Sequence, residues 1–232
     1  MPGNQGVAIR NLSRLLMLAS PMLPVGAYSY SQGLEWAIEC GDVKDLPTAK
    51  DWIGDVLASY QANYELPMLI RLHDAWQSND LRKVADWDEA YQAGKDTAET
   101  QAETLQMGYS LRKLMQDLGE FPIDFVEDMA GIETPAFATI YAGVCVAWGI
   151  PVNEMLHTYA WSWAENQVSA AMKTVPLGQV AGQKILLHLG KELPGIVAHS
   201  MRVKDEEISN FCPALTIASC QHETQYTRLF RS

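Results

Sequence analysis

Hydrophobic and polar positions follow a helical period over most of this chain. Apolar residues recur at intervals of three and four within 52–60, 107–118, 156–171 and 180–185, which is the pattern of amphipathic helices. The first helix is predicted to start behind the segment 48–51, whose Thr-Ala-Lys-Asp sequence resembles a capping box. Each of the four segments is therefore predicted to be a helix packed on a shared core.

Glycine and proline mark the predicted ends of these helices. The second helix is expected to end at Gly119, with Pro122 beyond it. The third is expected to end before Pro176, and the fourth to begin around Pro176, where proline is tolerated in the first turn, and to run towards Gly190. A shorter helix is expected to follow Ser29, capped by its hydroxyl.

Strand signals are nearly absent, since the chain has no Asn-Gly or Asp-Gly hairpin pair and no sustained alternation. The predicted fold is an all-α, single-domain bundle of about nine or ten helices with an extended C-terminal tail. The helical core is expected over residues 1–203 and a partner-binding tail over 204–232. From Pro213 onward the chain is predicted to be extended or adaptable.

Composition narrows the class of protein. The 232 residues are 48% hydrophobic with seven tryptophans, which suits one sizeable core. A net charge of −11 argues against binding nucleic acid. The chain has no uncharged apolar run long enough for a membrane span, no signal-peptide layout at its N-terminus, and four scattered cysteines without framework spacing. We therefore expect a cytoplasmic protein.

Signatures of catalysis and metal binding are missing. The chain lacks a nucleophile elbow, a phosphate loop and a zinc-protease motif. Cys212, Cys220 and His222 do not have the close pairing of a zinc site. Glu154 and His157 have the spacing of a di-iron ligand pair, but such sites need a second pair, which is absent. We expect no catalytic residue, no cofactor and no resident metal.

Two internal segments are dense in residues suited to recognition. Residues 20–35 contain prolines and a glycine that bend the entry to a helix, and they present Tyr28, Ser29, Tyr30 and Glu35 as candidate partner-binding residues. A tyrosine here could instead fill the core. In 176–183, two glycines spaced four apart are predicted to share a helix face and to allow close approach. That approach is either to a partner, with Gln179 and Gln183 in the contact, or to the core.

The last residues combine arginine with large apolar side chains, the composition of interface hot spots. The candidate partner-binding residues here are His222, Glu223, Tyr226, Arg228, Leu229, Phe230 and Arg231. The alternative is a frayed terminus without a specific contact.

Segments 23–35, 176–183 and 222–232 resemble the urease accessory protein F family in sequence, order and spacing. The resemblance implies an all-helical, non-catalytic protein that pairs with urease accessory protein D (or H) and recruits the GTPase accessory protein G. It also implies assembly on the urease apoprotein for nickel insertion, and a possible homodimer. The stretch from Ala218 to Ser232 is implied to dock on the D/H partner and to become ordered there.

The resemblance also assigns roles to single positions. Tyr28 and Arg228 match positions implicated in recruiting the GTPase, and we expect the ordered tail to bring them together. The sequence departs from the family pattern at Met22 and at Cys220-Gln221, where Ala-Arg is common; any salt bridge of that arginine is in doubt. Two alternatives stay open: an all-α enzyme with a pocket among Trp148, Trp161 and Trp163, and a nickel-binding metallochaperone.

Overall fold

A computed structural model describes residues 3–232, with the side chains of the first helix described from Arg10 onward. This part of the chain is all-α. Its α-helices are α1 (Gly3–Ala19), α2 (Leu34–Glu39), α3 (Leu46–Val56), α4 (Leu66–Gln77), α5 (Leu81–Ala93), α6 (Ala98–Leu118), α7 (Ile123–Gly131), α8 (Phe137–Ala147), α9 (Val152–Thr174), α10 (Gln179–Ser200) and α11 (Pro213–His222).

A π-helical stretch, Leu57–Glu65, joins α3 to α4 without a break. Counting that continuous unit once gives ten helices over residues 3–232, within the predicted number, and no strand occurs among them. The all-α prediction is confirmed. In the same part of the chain, every helix is too short or too polar to cross a bilayer.

The core is built around α8, which packs against α4 and α6. Its close fit to α4 depends on Gly143, where a Cβ atom would lie 2.9 Å from the Trp76 ring. The Trp76 indole N–H donates to the Thr139 carbonyl at 2.9 Å. The long α9 lies alongside α10 and also contacts α1 and α2, so it connects the centre of the bundle to the N-terminal segments.

Helix ends that depend on glycine or proline were predicted well. The second predicted helix, α6, ends at Gly119, which adopts φ of +65°, and α9 ends at Thr174, before Pro176. Two of the predicted helix starts were wrong. The helix α3 begins at Leu46 because the Asp45 side chain accepts the Thr48 N–H, and α10 begins at Gln179, three residues after Pro176, with Gly178 as its N-cap.

A short helix does follow Ser29, as predicted, but its predicted start and its predicted capping residue were wrong. A 3-10 turn, Ala27–Ser29, precedes an irregular segment, and α2 begins only at Leu34. Gln32 and Gly33 both adopt positive φ, at +53° and +80°, which interrupts a helix at this point. The hydroxyl that accepts the Glu35 N–H, at 3.3 Å, belongs to Ser31.

The prediction of an extended chain from Pro213 was wrong for its first ten residues, because 213–222 form α11. Pro213 occupies the first turn, where its missing N–H has no cost. Ala218, Ser219 and His222 lie on the buried side of α11, which packs against α2. Of residues 213–232, only the segment 223–232 lies outside an α-helix. This segment is called the tail below.

Candidate partner-binding surface

The tail is held on the bundle through its backbone. Glu35, on α2 and only 8% exposed, accepts the N–H of Leu229 at 2.6 Å and the N–H of Phe230 at 3.0 Å. Charge-assisted bonds of this kind are the stronger class of hydrogen bond. They fix the path of the tail whatever its side chains contact.

His222, the last residue of α11, lies between two carboxylates. Its Nδ1 is 2.7 Å from Glu99 Oε2 and its Nε2 is 3.2 Å from Glu35 Oε2. Glu99 also accepts a hydrogen bond from the Arg228 guanidinium. These four residues, Glu35, Glu99, His222 and Arg228, are called the latch below, because they join α2, α6, α11 and the tail.

The end of the tail is bound to the segment before α2. The Ser232 carbonyl oxygen accepts the N–H groups of Ser31 at 2.7 Å and Gln32 at 3.0 Å, and the Ser31 hydroxyl at 2.7 Å. The positive φ of Gln32 is part of the turn that brings these donors together. Gly33 is needed beside them, since a Cβ there would lie 3.0 Å from the Ser219 backbone nitrogen.

A second buried carboxylate binds the same end of the tail. Glu103, on α6, accepts from the Ser232 hydroxyl and from the Gln32 side-chain amide, both at 2.7 Å. Burial raises the pKa of Glu103, and these two hydrogen bonds oppose that rise only in part. The Gln32 amide oxygen accepts the Trp163 indole N–H at 2.6 Å, so the contact extends to α9.

Several tail side chains nevertheless face outward. Tyr226 is fully exposed, and Leu229 is 63% exposed. Leu229, Phe230 and Arg231 share a shallow surface pocket with Tyr28 and Lys173. The Arg231 N–H donates to the Ser29 carbonyl at 2.9 Å, which fastens the tail beside Tyr28, itself 62% exposed.

The structure separates the candidate residues of the sequence into two groups. Four of them are buried within the chain: Tyr30, Glu35, His222 and Phe230. The others are exposed or half-buried: Tyr28, Ser29, Gln179, Gln183, Glu223, Tyr226, Arg228, Leu229 and Arg231. The stretch from Ala218 to Ser232, which the resemblance implies becomes ordered on the D/H partner, is here folded against its own chain.

The glycine pair of segment 176–183 does not behave as predicted. Gly178 lies outside α10 as its N-cap, so the two glycines do not share a helix face. Gly182 is inside the helix, and a Cβ there would lie 2.3 Å from Met172 Sδ on α9. The close approach at Gly182 is therefore to the core, while Gln179 and Gln183 lie on the exposed side of α10.

Sequence reasoning missed four residues that hold the tail: Ser31, Gln32, Glu99 and Glu103. One of them had a visible signal. Glu103 is four residues before Met107 and so continues the apolar stripe of α6 towards its N-terminus. A carboxylate on an apolar stripe needs a partner. Which partner it finds, 129 residues away along the chain, has no local signature.

A second polar cluster lies inside the bundle and does not touch the tail directly. Lys95 donates to Glu65, which also accepts the hydroxyls of Tyr91 at 2.7 Å and Tyr159 at 3.0 Å. Burial by itself would raise the pKa of Glu65, but the charge of Lys95 and these hydrogen bonds outweigh it, so the pKa lies below its usual value. Glu65 is thus an ionised, fully paired carboxylate.

A cavity of about 170 Å³ is lined in part by this cluster. Trp163 lines it, but Trp148 and Trp161 do not, so the pocket among three tryptophans expected for the enzyme alternative does not form. Trp148 stacks on Phe121 instead. Among residues 3–232, no group of three or more histidine, cysteine or acidic side chains is arranged to hold a metal ion.

Comparisons with a family model and with known proteins all point to one family. The sequence model of the UreF family matches residues 43–190. A urease accessory protein UreF from Methylobacillus flagellatus is 56% identical over 223 residues, covering 96% of this chain and 98% of that protein. A protein of the same name from Azoarcus sp. is 49% identical, covering 100% of this chain and 100% of that protein. Another from Dechloromonas aromatica is 45% identical, covering 95% of this chain and 97% of that protein.

Proposed function

Because the chain belongs to the UreF family of urease accessory proteins, we propose that it is a non-catalytic adaptor in urease maturation. In this role it pairs with accessory protein D/H, and the pair recruits and regulates the GTPase accessory protein G for nickel insertion into the urease apoprotein. The proposed compartment is the cytoplasm. All four cysteines are unpaired thiols, which suits a reducing environment.

The observation that carries the proposal is the division between backbone and side chains in the tail. Buried carboxylates hold its backbone, while Tyr226, Arg228 and Leu229 remain exposed or half-exposed. Large apolar and arginine side chains in a fixed, exposed position have the composition of binding hot spots. A fixed backbone also lowers the conformational entropy that a partner must offset on binding.

The buried candidates have a different role in this proposal. Tyr30, Glu35, His222 and Phe230 set the position of the tail and do not contact the partner. Phe230 packs its ring under the Lys173 ammonium, with Nζ 5.4 Å from the ring centroid. The outward residues of the tail then form the contact with D/H.

Recruitment of the GTPase is assigned to the region around Tyr28 and the end of the tail. The pocket that Tyr28 shares with Leu229 and Arg231 supports this, because docking of the tail completes it. Arg228 itself is turned towards Glu99. We propose that its remaining exposed edge contributes to binding the GTPase and that it is not inserted into the nucleotide site.

Co-purification of the D/H and G proteins with variants of the full chain tests the proposal. A Tyr226→Ala/Leu229→Ala double variant is expected to lose D/H while keeping wild-type stability, because both side chains are exposed. The control is Ile123→Ala on α7, which removes another exposed apolar side chain, away from the tail. Equal recovery of D/H by the double variant and the control would contradict the proposed surface.

A further inference from the structure

The cavity beside the Lys95–Glu65 pair contains two polar groups without a partner. The Tyr141 hydroxyl and the Gln61 Oε1 atom are buried and make no hydrogen bond to any residue that the structure describes. Both side chains line the cavity, and the two residues are only 1% and 2% exposed. Because an unsatisfied buried polar group is costly, each of them calls for a partner inside the cavity.

The two unpartnered groups lie at the same end of the cavity. The Tyr141 ring packs edge-on against the Tyr159 ring, with centroids 5.2 Å apart, and the Tyr159 hydroxyl donates to Glu65 at 3.0 Å. Gln61 lies about one turn before Glu65 in the π-helical stretch Leu57–Glu65. Long π-helical stretches are rare and often mark functional sites, and this one supplies both Gln61 and Glu65 to the cavity wall.

The cavity has room for an organic molecule. Its volume of about 170 Å³ is similar to the roughly 150 Å³ that accommodates a benzene ring in a protein interior. Met107 and Phe137 are among its apolar lining residues. Tyr28 also lines it and is 62% exposed, so a ligand can enter from solvent.

The charges of the cavity select a neutral ligand. Of the lining residues that the structure describes, four are acidic and one is basic: Glu65, Asp96, Glu103, Glu165 and Lys95. This excess of negative charge repels an anion. At the end with the unpartnered groups, Glu65 is already paired with Lys95, so a cation finds no free carboxylate there.

We propose that the cavity binds a small neutral molecule that carries a primary carboxamide on an apolar or aromatic body. The carboxamide N–H donates to Gln61 Oε1, and the carboxamide oxygen accepts from the Tyr141 hydroxyl. One neutral group then supplies both the donor and the acceptor that this end of the cavity lacks. The body of the ligand packs against the apolar wall, as is usual in small-molecule sites.

Occupancy of the cavity is linked to docking of the C-terminal residues. Gln32 and Glu103, which both line the cavity, hold Ser232 through its backbone carbonyl and its hydroxyl. Leu215 and Ser219 of α11 form another part of the wall. Undocking removes these parts of the wall, so the ligand binds the docked state more tightly and stabilises it. The latch residues are not among those described as lining the cavity, so the ligand acts on the tail without contacting the latch.

Titration of benzamide into the full-length protein, followed by NMR, tests the site. Benzamide is expected to bind the wild type at millimolar concentration or below. Tyr141→Phe and Gln61→Met should each weaken binding about three- to tenfold, because each loses one hydrogen bond to the carboxamide. Neither variant should lose stability, since neither removed group has a partner in the described chain. Absence of benzamide binding, or unchanged affinity in both variants, would overturn the proposal and leave the cavity to water.

Tyr64→Phe is the matched control for these variants. It removes a buried hydroxyl that donates to the Tyr91 carbonyl at 2.6 Å, and Tyr64 is outside the described lining of the cavity. This variant should therefore be less stable than the wild type and keep the wild-type affinity for benzamide. A loss of benzamide affinity in Tyr64→Phe as large as in Tyr141→Phe would contradict a direct contact with Tyr141.

Two analogues of benzamide separate the carboxamide from the shape of the molecule. Acetophenone keeps the ring and the carbonyl but has no N–H, so it should bind the wild type about three- to tenfold more weakly than benzamide. Its affinity should not fall further in Gln61→Met. Benzoate, which is anionic, should not bind. Either analogue binding as tightly as benzamide would contradict the proposed ligand class.

Hydrogen exchange of the peptide that covers 223–232 tests the link to docking. At a benzamide concentration about ten times its Kd, protection of the tail in the wild type is expected to rise about tenfold. At the same concentration the rise in Tyr141→Phe should be smaller. Benzamide binding without a change in protection would contradict the link.

The cavity site does not depend on the proposed function, which enters only through the effect of tail docking on assembly. Co-purification of the D/H protein without benzamide separates the two. Benzamide binding in a chain that fails to recover D/H refutes the adaptor alone. Recovery of D/H by a chain that does not bind benzamide refutes the cavity site alone.

Discussion

The Glu35 carboxylate on α2 accepts the backbone N–H of Leu229 at 2.6 Å, across 194 residues of chain. The same carboxylate accepts the next N–H, from Phe230, at 3.0 Å. A side chain that binds consecutive backbone donors sets the direction of a segment without using the segment's own side chains. Leu229 therefore keeps its side chain exposed, and the tail has a defined path and a free binding face.

Glu35→Gln is expected to weaken binding of the D/H protein about tenfold or more. The neutral amide has one acceptor atom, so one tail N–H loses its acceptor and the other keeps a hydrogen bond without charge assistance. Titration of D/H against the purified variant measures the loss. Glu39→Gln is the matched control, because Glu39 is on the same helix but exposed. Equal affinity of the two variants would show that Glu35 does not position the tail.

Arg228→Ala is expected to reduce recruitment of the GTPase while leaving the turnover of any assembled complex within a few-fold of wild type. Arg228 is half-exposed and held by one carboxylate, a geometry suited to binding. If Arg228 were an arginine finger, its replacement by alanine would instead lower stimulated GTP hydrolysis by about 10³-fold. Arg202→Ala, an exposed arginine outside the tail, is the control. A variant that still recruits the GTPase but loses stimulation would overturn this assignment.

Glu103→Gln is expected to make stability less dependent on pH. Burial raises the pKa of Glu103. The protonated carboxyl therefore contributes fully to the free energy of unfolding below the unfolded pKa of about 4.3, and this contribution is lost as pH rises through the folded pKa. Relative to the variant, the wild type should lose about 1.4 kcal/mol for each unit by which the folded pKa exceeds the unfolded one. Urea unfolding from about pH 4 to about pH 8 measures the free energy of unfolding of both proteins at each pH. A difference between wild type and Glu103→Gln in the free energy of unfolding that stays constant over this pH range would contradict the raised pKa of Glu103.

Lys95→Met is expected to lower the free energy of unfolding by about 3 to 5 kcal/mol, because it leaves the buried Glu65 carboxylate without its partner. Adding Glu65→Gln should recover much of that loss. Lys113→Met is the control, since its pair with Asp117 is exposed and solvent screens such a pair. Chemical denaturation of the three variants gives the comparison. A loss in Lys95→Met no larger than in Lys113→Met would contradict the buried pair.

The helical fold could be predicted because its signals are local. The stripe of α6 and the left-handed Gly119 that ends it are both visible within a few turns of sequence. The helix α11 was missed for a physical reason: two of its buried residues, Ser219 and His222, are polar. A polar residue on the buried face hides the periodicity on which the prediction depends.

The candidate site could be predicted only in part. Glu35 and His222 were identified as candidate partner-binding residues, and within the chain they contact each other at 3.2 Å, a contact that no local feature of the sequence indicates. Glu99 has no feature that separates it from a surface glutamate. Its role depends on α11 returning to α6, which is a consequence of the tertiary fold and leaves no mark in the local sequence.

The central claim is that a docked tail is the partner-binding element. It is tested most directly by co-purification of the D/H and G proteins with three chains: full length, one ending at Gln225 and one ending at Pro213. The first truncation keeps α11 and removes the tail residues that Glu35 and Glu99 hold. The account predicts that the full chain assembles and that both truncations fail, with the chain ending at Gln225 still folded by circular dichroism. Assembly of either truncation at the wild-type level would contradict it.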